Sequence, residues 1–435
     1  MRYSPLPPAF FLENRTRLAE RLEPNSVAVL TSNDVLPTNA DGTLPFKQNS
    51  DLYYLSGVNQ EETILLLYPD AFDQEKHRQV LFLRETNEHV ATWEGVKLSK
   101  EKAAELTGIP ESCIYWSHEF FKLLRPIFLQ AENVYLNLNE HPRADVSVPT
   151  RAARLARKLQ RSYPLHRYQR LAPHLAALRA QKSPAELEHL KEACAITEAG
   201  FRRVLSFVEP GVGEWEIEAE WIHEFIRRRS GGFAYPPIIA SGKNACVLHY
   251  QANNSTCRDG EMLLLDVGAE YGNYNADLTR TLPVNGQFTK RQRKVYNAVL
   301  RVLRASADAL RPGMVLKEWN KQAGALMEKE LVDLKVLKMK DLKRQDPAKP
   351  LYKKYFMHGL GHHLGLDVHD VGLESAGVEV GNVFTVEPGI YIREEELGVR
   401  LENNVLVGKT RNTDLMSSIP IESDEIEDLM NASAD

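Results

Sequence analysis

Residues 262–281 read MLLLDVGAEYGNYNADLTRT. An apolar run from Met262 to Leu265 ends on Asp266, and Gly272 and Asn273 separate it from a second strand-like run that carries Asp277. Two such runs joined by a short glycine-bearing loop form a β-hairpin. A two-residue loop at Tyr271-Gly272 sets Asp266 directly opposite Asp277. A loop at Gly272-Asn273 makes the two aspartates diagonal neighbours on the same face, still within joint reach of one metal pair. Like charges opposed on a sheet are destabilising, and buried carboxylates without partners shift their pKa values strongly. Cations between them remove both costs. For an arbitrary pair of aspartates, one at a strand end and one in a solvated turn is the commoner arrangement, so the remaining motifs decide.

Residues 355–372, YFMHGLGHHLGLDVHDVG, hold His358, His362, His363 and His369 within twelve residues. Neutral imidazole is a good metal ligand and titrates near physiological pH, so clustered histidines point to ligation or acid–base work. His358 and His362 would share a helix face, but Gly359, Gly361 and Gly365 disfavour a helix and the glutamate of HExxH is absent. An irregular loop or short strand is expected. His249, in CVLHYQANN shortly before the Asp266 strand, can enter the same cleft. The other histidines sit singly among charged or helical residues and read as surface or packing groups. Glu387 precedes Pro388-Gly389, where an apolar strand stops and a side chain can aim into a cleft; Glu402 alternates irregularly with Val399, Leu401 and Val405. Four carboxylates with an imidazole form the ligand set of a two-metal hydrolytic site.

A chain of 435 residues is long for one core and predicts two domains. Hydrophobic residues make up 43% and charged residues 26%, against about 45–50% and about 25% in globular proteins. The net charge of −5, with acidic and basic residues interleaved, leaves no basic face for nucleic acid. The lysines of residues 318–354 read as a solvated helix and loop. Cys113, Cys194, Cys246 and Cys257 form no CxxC pair, which predicts reduced thiols. The opening MRYSPLPPAFFLENRTR lacks the apolar region of a signal peptide, and no apolar run of about 20 residues occurs. A cytoplasmic protein without membrane contact is expected.

In residues 1–172 the runs SVAVLTSN, TILLLYPD, QVLFLRE and NVYLNLN read as strands between helical stretches, an α/β domain. Residues 173–435 form the second domain. There Ser183, Pro184 and Glu186 make a capping box that opens a helix through LEHLKEACAITEAGFRRVLSFV. GEWEIEAEWIHEFIRRRSGG and KRQRKVYNAVLRVLRASADAL predict further helices; PPIIASG, LTRTLPV, FTVEPGIYI and GVRLENNVLVG predict strands.

These motifs resemble the pita-bread metallopeptidases, and within them most closely the Xaa-Pro aminopeptidases (aminopeptidase P). ADGTLPFKQNSDLYYLSG, EETILLL and WEG are similar to the creatinase-type amino-terminal domain, LRAQKSPAELEHLKEA to the entry of the catalytic domain, and IPIESDEIEDLM to its usual end. The resemblance implies an α+β catalytic domain with a pseudo-symmetric, curved antiparallel sheet covered by helices. It implies that the smaller creatinase-like α/β domain before it mediates self-association, as a homodimer or homotetramer. By the same resemblance Asp266, Asp277, His362, Glu387 and Glu402 ligate two divalent ions, with Asp277 and Glu402 bridging and Glu387 also shuttling a proton. Manganese is the expected metal, with cobalt or zinc as alternatives. His249, His358 and His369 are implied to line the substrate, with Tyr391 and Arg400 in support and His363 in packing. Asp41 and Trp93 are implied to reach a neighbouring subunit's site.

The implied reaction releases the N-terminal residue from peptides with proline at the second position, by attack of a metal-bridging hydroxide. Two divalent ions and four carboxylates balance in charge, which suits that chemistry. Prolidases share the five ligands but act on Xaa-Pro dipeptides, and need a cation for the substrate carboxylate. The loop at residues 371–382, VGLESAGVEVGN, has no arginine or lysine and carries Glu374 and Glu379. That favours longer peptides and leaves Arg393 as the candidate substitute cation. A non-catalytic pita-bread peptide-binding protein would be expected to have lost ligands, and all five are present.

Overall fold

Six strands build the sheet of the N-terminal half, in the spatial order Ile114–Trp116, Gln79–Leu83, Ile64–Leu67, Ser26–Thr31, Asn133–Leu136 and Arg167–Arg170. Residues 2–144, 147–372 and 377–432 are described by the computed structural model. They fall into two compact units, Pro5–Arg179 and Ala180–Asp435 with Met1–Ser4. In the first, the strands Ser26–Thr31, Ile64–Leu67 and Asn133–Leu136 are buried along their whole length, as their uninterrupted apolar runs require. The two edge strands escape the sequence reading. One has three residues, and the other, Arg167–Arg170, has an exposed arginine at each end, so neither presents an apolar run.

The boundary lies after Arg179, whereas the change in sequence character suggests residue 172. The helix Ala172–Ala180 is held to the first unit by partners far away in the chain. Arg179 Nη1 pairs with Asp51 at 2.6 Å, and Tyr54 Oη donates to the Leu178 carbonyl at 3.3 Å.

Among the described residues every strand pair of the second unit is antiparallel. One sheet joins Ile238–Ser241, Met262–Asp266 and Thr279–Pro283, and another joins Val383–Val386, Asn403–Leu406 and Thr413–Asp414. Gly389–Ile392 pairs with Leu397–Arg400. The helices Pro184–Leu205, Glu214–Arg227, Lys290–Ala309 and Leu316–Asp333 share one apolar core with these strands. Ser183 and Glu186 cap the first of them reciprocally, as their spacing predicts. All four cysteines are buried and free. No helix among the described residues is long and apolar enough to cross a membrane.

The hairpin takes the second of its two registers. Glu270 pairs with Asn275 and Tyr271 with Tyr274, so Gly272 and Asn273 form the loop, with φ of 58° and 69°. Positive φ at both positions is the signature of the type I′ turn that matches strand twist. Asp266 therefore faces Thr279, and direct opposition to Asp277 does not occur. The ladder stays in step because the Val267 and Ala276 amides bond across it to Leu278 and Ala269. At Gly268 a Cβ would lie 1.9 Å from the Ala276 carbonyl oxygen, so only glycine permits this approach.

Candidate metal centre

Strand ends supply most of the site. Asp266 terminates Met262–Asp266, and Asp277 lies just before Thr279–Pro283. Glu387 follows Val383–Val386, and Glu402 sits between Leu397–Arg400 and Asn403–Leu406. At such ends side chains can leave the pleat and converge without breaking ladder bonds. Asn404 then fixes Asp277 from both sides, accepting from its amide at 3.2 Å and donating to its carbonyl at 2.6 Å.

His362 comes from an irregular segment, as the glycines predict, and that segment is laced along the strand Val383–Val386. The Thr385 amide donates to the His362 carbonyl at 2.9 Å, Leu364 N to Val383 O at 3.0 Å, and Glu387 N to Leu360 O at 2.8 Å. A Cβ at Gly361 would lie 2.0 Å from the Thr385 carbonyl oxygen, so the lacing depends on that glycine. His362 Nδ1 lies 2.9 Å from the His363 carbonyl, which selects the tautomer protonated at Nδ1. The lone pair on Nε2 then points at carboxylates, Asp277 Oδ2 at 3.5 Å and Glu387 Oε1 at 3.7 Å. Ligand atoms of Asp277, His362 and Glu402 all lie within 4.8 Å of one another.

Arg400 organises the opposite wall. Its Nη2 donates to Asp266 Oδ2 at 2.6 Å, its Nη1 to Tyr391 Oη at 2.8 Å and its Nε to Thr279 Oγ1 at 3.1 Å. The two hydroxyls extend the network: Tyr391 Oη lies 2.9 Å from His358 Nε2, and Thr279 Oγ1 donates to Glu402 Oε2 at 2.7 Å. Three residues of this network lack any sequence signal: Tyr235, Thr279 and Asn404. Tyr235 Oη lies 2.6 Å from Oδ1 of both Asp266 and Asp277.

The electrostatics are those of an anionic cluster awaiting cations. Burial raises the Asp266 carboxyl against the pull of Arg400, and raises Glu387 to about 7. Burial, then the neighbouring Asp277, lifts Glu402 far above the carboxylate range. His362 moves up because Asp277 and Glu387 overcome the effect of its burial. His358 is held neutral, pushed down to about 3 by burial and then by Arg400. Glu402 is 2% exposed, and its Oε1 is buried without a hydrogen-bond partner. An orphaned carboxylate oxygen on a residue that clusters with a histidine and a second carboxylate fits a divalent ion.

The other expected site residues divide by position. His369 stacks edge-on against His362, with ring centroids 4.3 Å apart. His249 lies in an exposed turn and acts electrostatically on His358. The His363 ring packs on Phe384 at 4.2 Å. Asp41 and Trp93 belong to the first unit and are exposed there, Trp93 by 77%. Glu374 lies outside the described residues.

Residues 188–409 match metallopeptidase family M24, and residues 11–135 match the N-terminal domain of aminopeptidase P. The chain is 35% identical to a Xaa-Pro aminopeptidase of Haemophilus influenzae, over 98% of each chain. It is 31% identical to Xaa-Pro aminopeptidase 3 of Homo sapiens, over 93% of this chain and 81% of that one. A variant of Escherichia coli aminopeptidase P in complex with substrate is 33% identical and superposes with a TM-score of 0.87, covering 99% of this chain and 100% of the other. The two-domain pita-bread architecture is thus the fold of this chain. Over its full length the chain belongs to metallopeptidase family M24 and, within it, to the Xaa-Pro aminopeptidases.

Proposed function

We propose that this chain is a metal-dependent aminopeptidase that releases the N-terminal residue from peptides with proline at the second position. The observation that carries the reading is the convergence of Asp277, His362 and Glu402 within 4.8 Å, with one Glu402 oxygen left orphaned. Asp266, Asp277, His362, Glu387 and Glu402 would hold two divalent ions, with Asp277 and Glu402 shared between them. Bound there, such ions supply Lewis acidity and an activated water.

The protein's own groups do the rest. Glu387, half-buried and within 3.9 Å of His358, is placed to take a proton from the attacking water and return it to the leaving nitrogen. His358 stays neutral beside it and, with His249 and His369, lines the substrate. Arg400 holds Asp266 and Tyr391 in place, so that the ligands need not reorganise during turnover. A proline after the cleaved bond has no N–H to offer, so recognition falls to the shape of the site and to the peptide's free amine.

Manganese is the proposed native metal, with cobalt or zinc as substitutes. The proposed setting is cytoplasmic. A homodimer or homotetramer is proposed to form through the N-terminal domain, taken as residues 1–172, with Asp41 and Trp93 reaching a neighbour's site beside the catalytic domain, residues 173–435. The deciding experiment measures cleavage of Xaa-Pro dipeptides against Xaa-Pro-Yaa tripeptides and longer peptides by manganese-loaded protein. Release of the first residue from the longer peptides is expected. Strict preference for dipeptides would make the protein a prolidase, and no cleavage of any of them would reject the reading.

A further inference from the structure

A cavity of about 620 Å³ is lined by Lys243, Cys246, Val247, Leu248, Arg393 and Glu396. Its wall runs into the candidate site. Val247 and Leu248 directly precede His249, and Cys246 and Leu248 pack with Tyr391, whose hydroxyl contacts His358. No residue of this cavity belongs to the metal cluster or to the Arg400 network.

Two cations enter the cavity without an ion pair among the described residues. Arg393 begins the short 3₁₀ turn Arg393–Glu395, and the carboxylates beside it are engaged elsewhere. Glu394 pairs with Lys354 at 2.7 Å, and Glu395 with Arg291 at 2.6 Å. Neither Arg393 nor Lys243 forms an ion pair among the described residues. Glu396 is the single carboxylate of the lining, so positive charge exceeds negative there. Lone surface cations are usually just solvated. Here two of them converge on a concave space with an apolar wall, where Val247 is 53% exposed. That combination suits a ligand with a carboxylate at the end of a short apolar chain.

We propose that Lys243 and Arg393 form a subsite for a carboxylate that the peptide carries downstream of its proline. This inference rests on the reading of the chain as a Xaa-Pro aminopeptidase. The carboxylate is either the C-terminus of a short peptide or an acidic side chain. Both present the same anion to the same pair of cations, and they are separable by experiment.

The test compares three substrates of the manganese-loaded enzyme: Ala-Pro-Ala-Ala as the free acid, its C-terminal amide, and amidated Ala-Pro-Ala-Glu. The free acid is expected to show a KM about fivefold below that of its amide at low ionic strength, equivalent to about 1 kcal/mol, with kcat unchanged. Raising the salt to roughly 0.5 M should erase the difference. The double variant Lys243→Ala/Arg393→Ala should lose it while cleaving the amide as before, and Glu396→Gln should enlarge it. A low KM for the glutamate-bearing amide assigns the subsite to a side chain as well as to the terminus. Equal KM values for all three substrates, or discrimination that survives in the double variant, overturn the subsite while leaving the peptidase reading intact. Failure to cleave any of the three overturns both.

Discussion

Asp266 and Asp277 share one hydroxyl: Tyr235 Oη lies 2.6 Å from Oδ1 of each. A phenol carries a single proton. With both carboxylates ionised, only one contact at a time is a hydrogen bond, and the other sets two oxygens against each other. Cations drawing on the remaining carboxylate oxygens would relieve that conflict, so Tyr235 is expected to act as a spacer between two proposed metal ligands. Tyr235→Phe is expected to lower metal affinity by about tenfold to a hundredfold. Calorimetric titration of manganese into EDTA-treated protein reads this directly, and unchanged affinity removes the role.

Asp277 presents Oδ1 to Tyr235 and Oδ2 to His362. Asn replaces one oxygen with a donor that cannot ligate. Asp277→Asn should therefore lose both bound metal and turnover, measured by elemental analysis and peptide hydrolysis. Full activity in the variant would refute a shared-ligand role.

Burial pushes the Glu387 carboxyl up to about 7, against an ordinary 4.5. Between those values the folded chain keeps a proton that the unfolded chain has released. Its contribution to stability is thus complete below about 4.5 and is lost as pH rises through about 7. Metal ions take the place of that proton and require the carboxylate form. The gain in Tm on adding manganese should grow from about pH 5 to about pH 8. His358 and His363, half-buried and held neutral in both samples, drop out of the difference. A gain independent of pH would reject the coupling.

Lys182 Nζ and Asp370 Oδ2 form an ion pair at 2.9 Å with both side chains 1% exposed. The Asp370 amide also bonds to the His363 carbonyl at 2.9 Å, so the pair anchors the segment that carries His362 and His369. Lys182→Met removes the cation 2.9 Å from a buried carboxylate and is expected to cost about 3–5 kcal/mol. Adding Asp370→Leu should restore much of that stability, because both charges of the pair are then gone. Urea unfolding checks both values, and a single variant as stable as the parent would show the pair to be dispensable.

Gly268→Ala forces a methyl group against the Ala276 carbonyl at 1.9 Å. Backbone cannot yield as a flexible side chain does, so a loss near or beyond the upper end of the usual 1–3 kcal/mol range, about 3 kcal/mol, is expected. Metal affinity should fall with it, because the same approach sets the spacing of Asp266 and Asp277. Equilibrium unfolding without metal separates the two effects.

Much of the architecture was legible because its signals are local. The capping box at Ser183 and Glu186, the glycine-asparagine turn and the apolar runs of the central strands all act between near neighbours in the chain. The glycines of the His362 segment correctly excluded a helix. Edge strands such as Arg167–Arg170 were not legible, since half-exposed pairing leaves no apolar pattern. The first compact unit runs on through Arg179, where the Arg179–Asp51 ion pair and the hydrogen bond from Tyr54 Oη to the Leu178 carbonyl join the helix Ala172–Ala180 to residues more than a hundred positions earlier, a tie that leaves no local signal.

By itself the sequence determined the two-part organisation, the antiparallel hairpin and the supply of carboxylates and imidazoles for a metal site. Periodicity, capping and turn chemistry are short-range preferences that the chain states openly. The tertiary structure alone decided the hairpin register and the direction of the His362 lone pair. It also brought Tyr235, Thr279, Asn404 and Arg400 around Asp266, Asp277 and Glu402. Those four residues lie 31 to 134 positions in the chain from the carboxylate residues they bond. Their meeting follows from packing that excludes water and makes each unpaired polar group costly. Asp266 faces Thr279, and not Asp277, because Gly268 and the Gly272-Asn273 turn admit that close-packed ladder.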